Sequence, residues 1–303
     1  MIRSWLGTLV TLALCLASTP PLGAQQRPPA PASTAQARLR AADSTTTFVV
    51  GLKDGSSFTG RVRAIQNDSV SFASSVGSLT LALSDVRSAT VVRARDIRNG
   101  EYWFPNPNRT RLLFAPTGRM LDGGDGYFSN YVLIFPGVAV GLTNEVSIGG
   151  GFTIIPGVEL SDQLLYLTPK VGLVATEEFN FAIGALMMRA GINDGGNDSF
   201  GILYGVGTFG GENASLTTGV GYGYTGNDLA RSPLVMIGGD ARLSRRLGLV
   251  TENYIFPGEL EGVLSSLGMR FFGETMAFDF GLILPSGGVG SVVLPFVGFI
   301  VNF

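Results

Sequence analysis

The sequence predicts an all-β chain, in which an antiparallel transmembrane β-barrel of about 12 strands over residues 110–303 follows a small five-stranded barrel over residues 46–93. Glycine is abundant, at 43 of 303 residues, and only 15% of residues are charged, whereas soluble domains carry about 25%. After the N-terminus no apolar run is long enough for a membrane-crossing helix. Apolar residues instead alternate with small or polar residues, which is typical of strands in a membrane barrel.

Residues 1–24 have the features of a secretory signal peptide. Arg3 supplies the positive start, Trp5 to Ala17 form the apolar stretch, and Leu22-Gly23-Ala24 offers a small-residue cleavage site. The only cysteine, Cys15, lies inside this stretch, and the residue before it is not the Gly or Ala of a lipoprotein signal. We therefore expect a mature chain without cysteine, which can form neither disulfides nor thiolate metal sites.

Two segments of different composition follow the signal peptide. Residues 25–45 are rich in Gln, Pro, Ala, Ser and Thr, a composition that predicts a disordered linker. Residues 46–93 alternate apolar and polar residues, with turn signals at Lys53-Asp54-Gly55 and at Asn67-Asp68. Short strands packed this densely bury their apolar faces by curling into a small barrel.

The segment from Val50 to Phe72 resembles the first motif of Sm-like and SH3-like small barrels. The residues that carry the resemblance are Leu52, Asp54-Gly55, Gly60, Val62, Asn67-Asp68 and Val70. The second Sm motif, which contacts RNA, is not recognisable, and the net charge of −2 provides no basic surface for nucleic acid. We therefore expect a structural or interaction module with a periplasmic protein partner and no nucleic-acid partner.

Residues 94–109 are predicted to connect the two domains, because their prolines bar a central strand. The aromatic residues Tyr102-Trp103-Phe104 fit a membrane interface and a capped turn between domains equally well. The stretch from Tyr102 to Arg111, with Gly124 to Tyr131 after it, resembles an uncharacterised family of bacterial outer-membrane β-barrel proteins. No activity is assigned to that family, so the resemblance implies an outer-membrane location in a Gram-negative cell and no function.

From residue 110 onward the sequence predicts twelve strands. They are 110–117, 127–141, 145–156, 164–175, 178–190, 199–210, 213–225, 232–243, 246–257, 261–272, 275–285 and 291–303. In the clearest of them, Phe278 and Phe280 share one face and Asp279 lies on the other. Tight turns alternate with longer loops, which is typical of periplasmic turns and external loops. An even number of strands places both the N-terminal domain and the C-terminus in the periplasm.

The C-terminus carries an aromatic residue with apolar residues at every second position before it: Val297, Phe299, Val301 and Phe303. This pattern resembles the insertion signal that the barrel assembly machinery reads. The resemblance implies that machinery as a partner during biogenesis and outer-membrane lipid as the surroundings of the barrel. A secreted β-sandwich also alternates, but rarely combines so much glycine with so little charge.

The sequence favours neither an enzyme nor a metal or cofactor site. It contains no histidine, the commonest general base and metal ligand. No serine lies beside Lys170 in a local motif, so the sequence does not favour a catalytic Ser–Lys pair. A catalytic carboxylate pair is conceivable, but the same residues fit a network of paired charges that stabilises the barrel interior. The charged residues expected to line the lumen are Lys170, Asp240, Arg242, Glu252, Arg270 and Asp279.

Two functions remain open from the sequence. The favoured one is a narrow channel or transport-related protein for small solutes, in which the charged residues tune selectivity. The glycines expected to leave space on the inner face are Gly172, Gly184, Gly207, Gly219 and Gly268. The alternative is a closed structural barrel that anchors the domain at residues 46–93, a domain that a simple porin does not need.

Overall fold

The computed structural model describes residues 32–74, 77–93, 96–98, 101–191, 199–258 and 261–303. The predicted signal peptide, residues 1–24, lies outside the described residues. The chain forms two compact units that adjoin in sequence between Trp103 and Phe104. Within the described ranges, no helix combines the length and the hydrophobicity that crossing a membrane requires.

The N-terminal unit consists of one helix and a small antiparallel sheet. Its elements are α1 (Ala32–Arg40), β1 (Thr47–Leu52), β2 (Ser57–Gln66), β3 (Ser69–Ser74), β4 (Gly77–Ala82), a 3-10 turn (Leu83–Asp85), β5 (Val86–Val92), β6 (Ile97–Arg98) and β7 (Glu101–Tyr102). The first five strands form one sheet in the order β4-β3-β2-β1-β5, and β6 pairs with β7. The turn signal at Gly55, which adopts a positive φ of 91°, joins β1 to β2.

The core of this unit is aliphatic and aromatic. Phe48, Val50, Val70 and Phe72 are buried on β1 and β3, and Val86 joins them from β5. Burying a side chain of this size contributes about 1.5–3 kcal/mol. The alternating pattern at residues 46–93 therefore produces a sheet with a buried apolar face.

The expectation that residues 25–45 form a disordered linker is wrong over residues 32–40, which form α1. Ala35 and Leu39 lie one helical turn apart and are both buried in the core of the sheet. The Gln36 side-chain amide donates a hydrogen bond to the Leu83 carbonyl oxygen at 3.0 Å. Two apolar residues at this spacing dock the helix, although the surrounding composition is polar.

The second unit is a closed antiparallel β-barrel of twelve strands. Its strands are β8 (Gly126–Tyr131), β9 (Phe135–Gly141), β10 (Val146–Phe152), β11 (Leu164–Ala175), β12 (Phe179–Ala190), β13 (Ser199–Gly211), β14 (Ala214–Thr225), β16 (Leu234–Ser244), β17 (Leu247–Phe256), β18 (Gly262–Phe272), β19 (Met276–Gly287) and β20 (Leu294–Asn302). The two-residue strand β15 (Asp228–Leu229) lies between β14 and β16. The barrel closes where β20 pairs with β8, with Phe299 opposite Asn130.

The predicted number of strands is found, but two of the predicted strands are wrong. Residues 110–117 form no barrel strand; they fold into a hairpin. Residues 127–141 form two strands, β8 and β9, joined by a turn in which Val132 and Leu133 have positive φ values of 46° and 64°. Bulky residues rarely adopt this conformation, so the sequence gives no turn signal there.

The two ends of the barrel differ in their connections. At one end, which we call the turn end, the strands are joined by residues 142–145, 176–178, 212–213, 245–246 and 273–275. At the other, which we call the loop end, the connections include residues 132–134, 153–163, 226–233 and 288–293. The connections from β12 to β13 and from β17 to β18 lie partly outside the described residues. The barrel strands begin with Gly126 at the turn end and the chain ends there with Phe303, whose backbone N–H donates to the Gly126 carbonyl oxygen at 2.9 Å.

The outer and inner faces of the barrel have opposite chemistry. On β19, Phe278 and Phe280 are 39% and 46% exposed, whereas the intervening Asp279 is 2% exposed. Large apolar side chains cover the outside, and the charged residues on the strands are mostly buried inside. This inversion of the usual soluble arrangement is the architecture of an outer-membrane β-barrel.

Candidate functional site in the barrel lumen

The lumen is partly filled by the chain itself. Residues 104–121, which we call the lumenal hairpin, contribute Leu112 and Leu113 with no exposed surface. The hairpin turn is closed by two backbone hydrogen bonds of 2.9 Å, from Leu112 N–H to the Ala115 carbonyl oxygen and from Thr117 N–H to the Thr110 carbonyl oxygen. The hairpin extends inward from the turn end and returns there before β8 begins.

The tip of the lumenal hairpin is held by Glu252 on β17. One oxygen of this carboxylate accepts hydrogen bonds from the backbone N–H groups of Leu113, Phe114 and Ala115, at 2.9, 3.0 and 2.9 Å. Glu252 has no exposed surface. Converging backbone N–H groups stabilise a buried anion, and the anion satisfies donors that the tight turn leaves unpaired.

The middle of the lumenal hairpin is held by an ion pair between neighbouring strands. The Arg270 guanidinium on β18 bonds the Asp279 carboxylate on β19 in bidentate fashion, at 2.7 and 2.8 Å. The remaining Arg270 donors reach the carbonyl oxygens of Leu112 at 2.7 Å and Asn108 at 3.2 Å. The planar guanidinium thus forms hydrogen bonds to both the barrel wall and the hairpin.

Two further cations hold the parts of the hairpin near the turn end. Lys170 Nζ on β11 donates to the carbonyl oxygens of Thr117 at 3.2 Å and Arg119 at 2.6 Å. Arg242 Nη1 on β16 donates to the Phe104 carbonyl oxygen at 2.6 Å, and its guanidinium lies over the Phe104 ring. Backbone carbonyl groups that would otherwise be buried without a partner are satisfied in this way.

Asp240 and Arg119 complete the polar interior of the turn end. Asp240 on β16 accepts a hydrogen bond from the Ser215 hydroxyl on the adjacent strand β14. Arg119, on the hairpin, donates to the carbonyl oxygens of Gly210 and Gly211 at 3.1 and 2.7 Å. Burial lowers the pKa of the Arg119 guanidinium below its ordinary value, and the Asp240 and Glu212 carboxylates partly offset this effect.

Of the six charged residues expected to line the lumen, five contact the lumenal hairpin. Lys170, Arg242, Glu252 and Arg270 bond its backbone, and Asp279 accepts a hydrogen bond from the Asn108 side-chain amide at 3.3 Å. Asp240 instead bonds the wall. Their surroundings are peptide groups of the chain rather than an open aqueous passage.

The inward-facing glycines make room for the hairpin. A Cβ atom at Gly238 would lie 2.5 Å from Leu112 Cδ1, and one at Gly172 would lie 2.6 Å from Met120 Cγ. The expectation that such glycines leave space for a solute is therefore wrong at Gly172. It is also wrong at Gly207, which pairs with Phe181 on the outer face.

Beyond the hairpin tip, toward the loop end, the lumen contains a cavity of about 310 Å³, which we call the loop-end chamber. Its walls are aromatic and aliphatic side chains from most of the barrel strands, and its floor is the hairpin tip. The residues that define it are Arg111, Phe114, Tyr131, Tyr166, Tyr204 and Tyr254. Arg111 is the only charged side chain among the described residues that line it.

Sequence reasoning missed the lumenal hairpin and did not place Arg111 in the lumen. Three consecutive apolar residues, Leu112-Leu113-Phe114, break the alternation that a barrel strand requires, and this was the available signal. Within the described ranges, no group of three or more His, Cys, Asp or Glu side chains is placed to hold a metal ion.

No protein family matches the chain, and no curated protein matches it. Solved structures similar to it include the KdgM porin in complex with disordered oligogalacturonate (8% identity, 59% of this chain and 98% of the porin, TM-score 0.45). Another is the outer membrane protein Omp33 of Acinetobacter baumannii, at 8% identity over 59% of this chain and 95% of that protein, with a TM-score of 0.34. A third is the outer-membrane protein OmpT of Vibrio cholerae, at 14% identity over 85% of this chain and 95% of that protein, with a TM-score of 0.32. These similarities assign no function to this chain, whose barrel is defined by its own strand pairing.

Proposed function

We propose that the protein is a transport-related β-barrel of the Gram-negative outer membrane, closed at rest by its lumenal hairpin, which admits small solutes when the hairpin moves. The observation that carries the proposal is the occupation of the turn-end half of the lumen by residues 104–121. A solute that enters from the loop end meets the chamber first and the hairpin second.

The outer surface supports a location in a membrane. Apolar side chains such as Phe280 and Leu282 are about half exposed, and they lie on the face opposite the buried charges. Phe299 and Val301 pair with the outward-facing Phe278 and Met276, and Phe303 is exposed, an arrangement that fits the predicted insertion signal. We propose that the turn end and the N-terminal unit both face the periplasm.

The chemistry of the hairpin contacts supports a plug that can move. The contacts join wall side chains to hairpin peptide groups, and the hairpin is not itself a strand of the barrel sheet. Water or a solute can replace such hydrogen bonds at modest net cost, because each contributes roughly 0.5–3 kcal/mol. Release of the hairpin tip would connect the loop-end chamber with the turn end.

A second function is favoured by the number of these contacts. Lys170, Arg242, Glu252 and Arg270 all bond the hairpin backbone, and breaking several buried polar contacts at once is costly. In this alternative the barrel is permanently closed and anchors the N-terminal unit, which binds a periplasmic protein.

Single-channel conductance of the full chain in planar bilayers distinguishes the two functions. We expect the wild type to be closed for most of the recording and Glu252→Ala to conduct steadily with ion preference, because the hairpin tip loses its acceptor. Leu249→Ala, on the outward face of the same strand, is the matched control and should behave as the wild type. If the folded wild type and Glu252→Ala are both silent under all voltages, the transport proposal is overturned and the anchor remains.

A further inference from the structure

Arg111 occupies an unusual position at the floor of the loop-end chamber. It lies on the lumenal hairpin, and its guanidinium is 4.7 Å from the centre of the Tyr131 ring. Arg111 is only partly buried, because its side chain faces the cavity. A cation–π contact with tyrosine is weaker than a carboxylate pair and leaves the guanidinium donors available.

The carboxylates of the lumen are already bound elsewhere. Glu252 is held by backbone N–H groups, Asp279 by Arg270, and Asp240 by Ser215. Among the described residues, none forms an ion pair with Arg111. An enclosed cation without a counter-charge is unfavourable, so an anion that enters the chamber gains free energy from it.

Tyr131 borders the same cavity and positions the guanidinium. The residue is 6% exposed and its hydroxyl oxygen is buried, so its contribution at the chamber floor is the ring face against Arg111. Arg111 therefore offers its donors to one acceptor group at the chamber floor.

The rest of the chamber is suited to a hydrocarbon. Its walls include Leu186, Met188, Ile202 and Met236, and its volume of about 310 Å³ is at the lower end of the range for small-molecule sites. Each methylene group buried against such walls contributes about 0.8 kcal/mol. A strongly hydrated inorganic anion would gain nothing from these walls.

We propose that the loop-end chamber binds a small amphipathic carboxylate, with its charged group on Arg111 and its alkyl chain among the apolar walls. A carboxylate matches the guanidinium fork with two parallel hydrogen bonds. The inference deepens the proposed function, on which it rests for the route of entry, by naming the class of solute.

The test is equilibrium binding of radiolabelled octanoate to the full chain in amphipol, with octanol as the uncharged probe of the same chain length. We expect Arg111→Gln to weaken octanoate binding about 10–100-fold, as the loss of a charge-assisted hydrogen bond does, and to leave octanol binding unchanged. Arg109→Gln, on the same hairpin but paired with Asp122, is the matched control and should bind octanoate as the wild type does.

A second variant covers the case in which Arg111→Gln does not fold. Met188→Trp reduces the chamber volume without touching Arg111, and it should weaken binding of both probes. The proposal is overturned if the wild type does not bind octanoate, if Arg111→Gln binds it equally well, or if Met188→Trp leaves both affinities unchanged. If the protein binds octanoate but never conducts, the proposed transport function is overturned and the proposed binding site stands. Failure of one proposal can therefore be told apart from failure of the other.

Discussion

The two halves of the lumen are built from the same twelve strands, yet they differ in chemistry and in content. Toward the turn end the inward side chains are charged and the hairpin fills the space: Lys170, Asp240, Arg242, Arg270 and Asp279. Toward the loop end they are aromatic and aliphatic, and a cavity remains. Most of the inward charges in this barrel therefore satisfy peptide groups of the hairpin, and the apolar half contains the space in which we propose that a ligand binds.

We expect the largest change in stability when one partner of the buried ion pair in the turn-end half is removed. Arg270→Leu leaves Asp279 charged and buried and also removes donors to the hairpin, so we expect the free energy of unfolding to fall by about 3–5 kcal/mol. Urea unfolding of the barrel in lipid vesicles measures it. The double variant Arg270→Leu/Asp279→Leu should lose less than the single one, and an equal or larger loss would contradict the role of an unpaired charge.

The outer face provides the next largest effect. Phe280→Arg places a cation among lipid-facing side chains near the middle of β19, and we expect a loss of about 2–4 kcal/mol. Ser286→Arg, on the same face near the loop end, is the control and should cost roughly 0–1 kcal/mol. Vesicle unfolding compares the two, and equal losses would mean that this face does not meet a depth-dependent hydrocarbon layer.

Glu252→Gln tests the junction between the two halves. The amide keeps an acceptor oxygen for the hairpin tip but loses the charge that strengthens three hydrogen bonds, so we expect a loss of roughly 1.5–3 kcal/mol. Hydrogen exchange of the Leu113 and Ala115 amides should accelerate more than that of amides in β19. If these amides exchange at the wild-type rate, the carboxylate does not hold the tip.

The strand pattern of residues 164–303 was predictable, because alternation and turn residues act locally. Strand β11 occupies the predicted range 164–175, and the other strands differ from prediction by at most a few residues. The turn at Val132 and Leu133 was not predictable, because neither residue favours a positive φ and no Gly or Asn replaces them. Its conformation depends on tertiary packing.

The lumenal hairpin was even further from prediction, although a closed barrel was one of the two functions that the sequence left open. The sequence places Glu252 and Arg270 on the inner face, but a pore-lining charge and a charge that binds a plug have the same alternation. Only the folded chain brings residues 104–121 beside them. Arg111 was missed for a related reason, because only the folded chain shows that, among the described residues, no carboxylate forms an ion pair with it.

The smallest expected effect comes from a second Arg–Asp pair at the edge of the filled half. Arg109 bonds Asp122 at 2.9 Å, about the length of the Arg270–Asp279 contact, but the two side chains are 30% and 67% exposed. Water screens such a pair, so Asp122→Asn should cost about 0.2–1 kcal/mol, several-fold less than Arg270→Leu. The Arg109–Asp122 pair has one hydrogen bond and the Arg270–Asp279 pair has two, so burial and geometry both contribute to the contrast. A loss at Asp122 as large as that at Arg270 would mean that the turn-end mouth is shielded from water, and the filled half of the lumen would then extend to its rim.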